Sequence, residues 1–179
     1  MKGNLVYIRI LEKEDVATTQ KWINDPEISD IMGYLPVLSL SNQLDWYEGI
    51  KIDKSRLIFA ICLVENGFHI GNVALGAIDY VHKHAMFSIF IADKKYRGGG
   101  LGEQAARLMI RFAFLRLNLN KVYLRTSERF IAAIKMYDKI GFVREGVMRQ
   151  HYFIDGHYED KIIYSILKEE FSRVNLKNE

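Results

Sequence analysis

The sequence predicts an α/β protein of the α+β kind, with a mixed, mostly antiparallel sheet flanked by helices. Three observations carry this. Residues 86–117 pass from a β-branched and aromatic stretch through the cluster Gly98-Gly99-Gly100-Leu101-Gly102 into an amphipathic segment, the pattern of strand, tight loop and helix. Asn66-Gly67 and Asp155-Gly156 each stand between apolar runs, and such dipeptides tolerate the positive φ that tight hairpins demand. The resulting element order, β, α, α, three antiparallel strands, α, β, α, β, β, does not fit a doubly wound parallel sheet.

In chain order, residues 5–10 alternate well enough to form a strand. Residues 12–23 form a helix with a weak apolar stripe, which Asn24-Asp25-Pro26 stops. Residues 27–40, with Gly33 and Pro36, read as irregular, although Ile31, Met32, Tyr34 and Leu35 are more apolar than a solvated loop requires. Ser41 is placed to cap a helix running to about Ile52, with Leu44, Tyr47 and Lys51 on one side and Trp46 and Ile50 on another. Residues 57–64 and 68–78 are strands, and His82, Lys83 and His84 occupy the turn before the central strand. After the glycines, Leu101, Ala105, Leu108, Met109, Phe112 and Ala113 share one helical face, with Arg107, Arg111 and Arg116 off it in solvent. A strand at 121–126, a helix from about Ala132 to Ile140 and a hairpin of 150–154 with 157–167 follow. Residues 1–171 are expected to be one domain and 172–179 a polar tail that frays.

A chain of 179 residues that is 49% hydrophobic and 12% aromatic can bury about 70% of its unfolded surface as one domain. No apolar run approaches the ~20 residues of a membrane span, and the N-terminus does not read as a signal peptide. The one cysteine, Cys62, sits in an apolar strand and reads as core rather than nucleophile. A net charge of +3 is too small and dispersed to argue for nucleic acid. The expectation is a cytoplasmic enzyme with no nucleic-acid or membrane partner; a homodimer is left open.

A glycine-rich turn at a helix N-terminus leaves backbone N–H groups unpaired beside the positive end of the helix dipole, a site for phosphate or pyrophosphate. A Walker loop fails because Glu103, not Lys, follows Gly102. Gly100-x-Gly102-x-x-Ala105 fits a dinucleotide fingerprint, but the next strand, 121–126, carries no carboxylate for a ribose. The third pattern is Arg97-x-x-Gly100-x-Gly102. About 35 residues on comes Ala132-Ala133-Ile134-Lys135-Met136-Tyr137-Asp138-Lys139-Ile140-Gly141-Phe142. The two motifs at this spacing resemble the GNAT superfamily of acyl-CoA-dependent N-acetyltransferases. Trp22 to Ile28 and the C-terminal hairpin resemble its branch of ribosomal-protein N-terminal, spermidine and nucleotide-linked amino-sugar acetyltransferases.

The resemblance implies acetyl-CoA as co-substrate and no metal. It assigns the pyrophosphate to the amides of Arg97, Gly98, Gly99, Gly100, Leu101 and Gly102. It assigns the pantetheine and thioester to the backbone of Ile89, Phe90 and Ile91 on a central strand that splays from its neighbour. Tyr137 matches the family's general acid. The family often has Asn, contacting the cofactor, where this chain has Phe130; Phe130 cannot make that hydrogen bond, which leaves Ser127 or Arg129 to supply it. Asp79, His82, His84 and His151 are candidates for the base by chain position alone, and His82-x-His84 lacks partners for a metal site.

The spermidine acetyltransferases take acidic residues from the first interhelical connection and from the strands before the glycine loop. Residues 31–38 here contain none, 72–78 none before Asp79, and Met86 stands where an acid would serve. A groove walled by Trp46, Tyr34 and Tyr47 suits a small-molecule or peptide amine: one primary amine on an uncharged or stackable body, such as a peptide N-terminus or an amino sugar. Asp30, Asp45 or Glu48 filling the acidic role would instead mean a polyamine, and a CoA-binding module without catalysis is the alternative of another class.

Overall fold

A seven-stranded sheet, in the order β1-β2-β3-β4-β5-β7-β6, carries the rest of the molecule. Its strands are β1 (Val6–Ile10), β2 (Leu57–Leu63), β3 (His69–Asp79), β4 (His84–Ile91), β5 (Lys121–Thr126), β6 (Val143–Ile154) and β7 (His157–Leu167). The helices are α1 (Val16–Ile23), α2 (Pro26–Met32), α3 (Leu40–Ile52), α4 (Leu101–Leu115), α5 (Ile131–Ile140) and α6 (Lys168–Asn175). The structure, a computed structural model, describes residues 1–33, 37–154 and 156–175, without the side chains of 172–175.

All adjacent strands are antiparallel except β4 and β5. That parallel pair is short: His84, Ala85 and Met86 against Lys121, Val122 and Tyr123. β4 continues to Ile91 with β3 alone, ending at the pair Gly71–Ile91. Beyond Met86 the two strands part, and the sheet opens into a fork.

The two faces of the sheet follow from strand alternation. On one face Val73, Leu75 and Phe87 pack against Ala105, Met109 and Ala113 of α4 and Ile140 of α5. On the other Ile58, Ala60 and Cys62 pack with Leu11, Val16 and Tyr47 beneath α1 and α3. The buried face of α4 is wider than the predicted stripe, taking in Ala106, Ile110 and Phe114. Arg111 and Arg116 are exposed as expected. Arg107 is only 23% exposed, because its Nε donates to Glu103 at 3.0 Å and its Nη2 to the Lys139 carbonyl at 2.9 Å.

Two local readings are corrected. Residues 27–40 are not wholly irregular: α2 begins at Pro26, Asp25 caps it by accepting from Glu27 N at 2.9 Å, and Gly33 ends it at φ +70°. The Asp25-Pro26 pair that stops α1 is also an N-cap followed by a preorganised first helical residue, and seven residues are too few to show a helical period. α3 is capped by Ser39, whose Oγ accepts from Asn42 N at 3.1 Å, rather than by Ser41. α6 carries helical backbone as far as Asn175, and the Phe171 ring lies 5.5 Å from that of Phe114. Tyr34, Leu35, Pro36 and Asp155 lie outside the described residues.

Candidate active site

The glycine loop forms as its sequence requires. Gly98 and Gly100 take φ +83° and +81°, a region costly for any residue with a Cβ, and Gly100 is the N-cap of α4. No side chain caps that helix, so its first amides remain available to a ligand. The Arg97 side chain is otherwise engaged: Nε and Nη2 donate to the carbonyls of Ile91 and Ala92 at 2.9 and 2.8 Å, and Nη1 to Glu27 at 2.6 Å. It pins the loop to the end of β4. The Arg97 hydrogen bond, aided by Lys94, holds the Glu27 carboxyl below the usual carboxylate range. Glu103, in the first turn of α4, would oppose a phosphate, but it is paired with Lys139 at 2.7 Å and Arg107 at 3.0 Å.

The fork between β4 and β5 opens into a cleft of about 760 Å³. Of the residues singled out in the sequence, Ile89, Phe90, Ile91, Arg97, Gly98, Gly100, Gly102, Phe130 and Tyr137 line it; Gly99 and Leu101 belong to the loop but not to the lining. Gly102 faces across it, since a Cβ there would lie 3.7 Å from Ile91 and 3.8 Å from Met136. Tyr137 is 7% exposed, its ring edge-on to Phe87 and Phe142 at centroid distances of 6.5 and 5.7 Å. Burial pushes its phenol up to about 12, so it is protonated and able to donate at any working pH. Phe130 carries the Arg129 guanidinium over its ring at 4.9 Å, and Arg129 also lines the cleft. Ser127 Oγ donates to Glu159 at 2.9 Å, and Ser127 is not among the residues that line the cleft.

The four candidate bases do not gather here. Asp79 accepts from the amides of Val81 and His82, while His82 and His84 stack at 6.5 Å at the far end of β4. His151 lies 3.4 Å from Arg125; none of the four lines the cleft. Cys62 is buried in β2, its thiol pushed up by burial.

On the opposite side of β4 a second pocket of about 470 Å³ shares Met32, Met86, Ser88 and Phe90 with the cleft. Its floor is one face of the sheet: Ile58 of β2, Asn72, Ala74 and Gly76 of β3, and Ser88 of β4. Thr19 and Ile23 of α1 and Gln43 and Trp46 of α3 cover it. Trp46, expected as a wall of the acceptor groove, lines this pocket. Tyr47 does not, because the helix turns it into the second core cluster, and Tyr34 lies outside the described residues. A bulge in β3 between Gly76 and Asp79 puts Ala77, also lining the pocket, at φ +45°.

Sequence reasoning missed the polar network behind this pocket. Arg9 donates to Asp15 at 2.6 and 2.8 Å, and His69 Nδ1 lies 3.4 Å from that carboxylate. His69 Nε2 is 2.8 Å from Asn72 Oδ1, and Asn72 Nδ2 donates to Thr19 Oγ1 at 3.2 Å. Burial raises the Asp15 pKa, but the hydrogen bonds from Arg9 and Glu12 outweigh it and the net shift is downward. The available signal was Asn72 itself, a lone amide within an apolar strand. Lys161 was missed too: it is 1% exposed, its ammonium 3.1 Å from the centroid of the Tyr152 ring, and burial, with Arg129 nearby, lowers its pKa to about 8.

A mixed sheet that forks beside a glycine loop and a helix N-terminus, with a buried tyrosine lining the opening, is the arrangement that the sequence resemblance implies. The chain belongs to the GNAT acetyltransferase family: the family model for the acetyltransferase (GNAT) domain matches residues 6–143. The spermidine N(1)-acetyltransferase of Escherichia coli strain K12 is 32% identical over 167 residues, covering 93% of this chain and 88% of the relative. A putative ribosomal N-acetyltransferase of Bacillus subtilis is 31% identical over 109 residues, 61% of this chain and 59% of that protein. Among solved structures, the spermidine N-acetyltransferase of Vibrio cholerae in complex with CoA and spermine superposes with a TM-score of 0.89 at 27% identity, covering 93% of this chain and 98% of that one. The protein is an acyl-CoA-dependent N-acetyltransferase of the GNAT fold. Among the described residues, no helix is long and apolar enough to cross a membrane.

Proposed function

We propose that the protein moves the acetyl group of acetyl-CoA directly to a primary amine on an uncharged or stackable body, such as a peptide N-terminus or an amino sugar, with Tyr137 as general acid. The observation that carries this is the meeting of the cleft and the second pocket along Met86, Ser88 and Phe90. A thioester lying along the free edge of β4 reaches an amine on the other side of the same strand. The loop amides from Arg97 to Gly102 bind the pyrophosphate, and glycine keeps side chains out of its path. A backbone N–H of Ile89, Phe90 or Ile91 stabilises the developing oxyanion, an interaction worth roughly 2.7–4 kcal/mol in other acyl-transfer enzymes. Tyr137 protonates the departing thiolate. Arg129, stacked on Phe130, is a side chain on the cleft wall able to make the cofactor contact that Phe130 cannot.

The choice of amine rests on the lining of the second pocket. Among its described residues there is no carboxylate. Asp30, Asp45 and Glu48 are not among them; Asp30 lies 3.6 Å from Arg129 and Glu48 accepts from Lys51 at 2.7 Å. A polyamine carries two or more ammonium groups and needs carboxylates to pair with them. The names of the Escherichia coli and Vibrio cholerae relatives favour spermidine as the second reading. A side-by-side assay of thiol release from acetyl-CoA with an alanine- or serine-headed peptide, a nucleotide-linked amino sugar and spermidine tests the choice. The expected result is faster turnover of one of the first two. Spermidine turning over fastest would reverse it, and no thiol release with any amine would leave a CoA-binding module.

A further inference from the structure

We infer that Ser88 receives the acceptor amine: its Oγ accepts one amine N–H and so turns the nitrogen lone pair toward the thioester. The inference rests on the transfer across β4 proposed above. The cleft and the second pocket have Met32, Met86, Ser88 and Phe90 in common. Of these, Ser88 alone carries a side-chain oxygen, and a methionine thioether is only a weak acceptor. Where the two spaces meet, the side chain able to hold an N–H is therefore this serine.

Strand alternation turns Phe87 and Ile89 to the α4 side of the sheet, and Met86, Ser88 and Phe90 to the pocket. Ser88 is half-buried, and its hydroxyl makes no hydrogen bond to another described residue. The other polar groups on this floor are committed to one another: Asn72 Oδ1 is 2.8 Å from His69 Nε2, and Asn72 Nδ2 donates to Thr19 Oγ1. Ala74 stands opposite Ser88 and Gly76 opposite Met86. A Cβ at Gly76 would meet nothing within 4 Å, so these small residues leave room for a ligand beside the hydroxyl. Ser88 also belongs to the stretch of β4 that β5 has left, next to Ile89, one of the proposed oxyanion donors. As the N–C bond forms and the C–S bond breaks, the thiolate takes the Tyr137 proton. The surplus proton of the amine passes to water, from which Tyr137 is reprotonated. Ser88 orients the nitrogen and need not act as a base, which accords with the four candidate bases lying outside the cleft.

Ser88→Ala and Ser88→Thr test this in thiol-release assays with acetyl-CoA and three probes: an alanine-headed peptide, a nucleotide-linked amino sugar and spermidine. With the probe that the wild type turns over fastest, Ser88→Ala should lower kcat/KM for the amine about tenfold. CoA affinity by calorimetric titration and the thermal midpoint should stay unchanged, because the hydroxyl is bonded to no other described residue. Ser88→Thr keeps a hydroxyl on a side chain that strands accept, and should recover most of the loss. Ser88→Ala as active as the wild type would overturn the assignment and leave acetyl transfer standing. A loss accompanied by a lower midpoint or weaker CoA binding would overturn it too, as would Ser88→Thr being as impaired as Ser88→Ala. No thiol release by the wild type with any probe would instead contradict the transfer itself, and the role of Ser88 with it.

Discussion

Tyr137→Phe should lower kcat about 10²-fold, the usual scale for losing a general acid, with acetyl-CoA affinity nearly unchanged. The expectation follows from what the ring and the hydroxyl each do. The ring is held by Phe87, Phe142 and Tyr164, at centroid distances of 6.5, 5.7 and 6.4 Å, and phenylalanine keeps that packing. The hydroxyl alone is lost, at the wall of the cleft. Because burial pushes the phenol up to about 12, its ionisation should not reduce the wild-type kcat as pH rises from about 7 toward about 10. Steady-state rates across that range, with calorimetric CoA titration of both proteins, check the split. An equal kcat in the variant would reduce Tyr137 to a packing residue.

Gly100→Val should abolish measurable CoA binding in a protein that still folds. At φ +81° a β-branched residue is strained by about 1–3 kcal/mol, and the least costly relief is to move the loop. No atom lies within 4 Å of a Cβ at this position, so the core is not disturbed and the stability loss stays near that figure. The amides proposed to bind the pyrophosphate should turn away, and the valine should project into their approach path. Circular dichroism separates folding from binding, and calorimetry reads the affinity. Unchanged affinity in a folded Gly100→Val protein would take the loop out of the cofactor site.

The parts of the fold legible in the sequence were those encoded locally. The glycine loop, α4, β5 and the Asn66-Gly67 turn each announce themselves within about a dozen residues, through turn chemistry or a sustained period. α2 was hidden because Asp25-Pro26 is at once a stop for one helix and a start for the next, and a two-turn helix gives no period to read. The lining of the cleft was legible for the same reason as the loop, with Tyr137 and the Arg97 motif standing in continuous stretches. The second pocket was not. Thr19, Trp46 and Asn72 come from two helices and a strand far apart in sequence, and only the packing of α1 and α3 on the sheet brings them to one pocket. Tyr47 shows the same limit from the other side: one helical position from Trp46, it is buried in the core while Trp46 lines the pocket.

Direct transfer between two ligands bound at once, across the free edge of β4, is the central claim, and initial rates with acetyl-CoA and amine both varied test it most directly. The sole cysteine of the chain is buried in β2 and lines neither pocket, so no acetyl-thioester intermediate on the enzyme is expected. Intersecting double-reciprocal lines, with no acetylated protein after incubation with acetyl-CoA alone, are the predicted result. Parallel lines together with a stable acetyl-enzyme would be the signature of a covalent route and would contradict it.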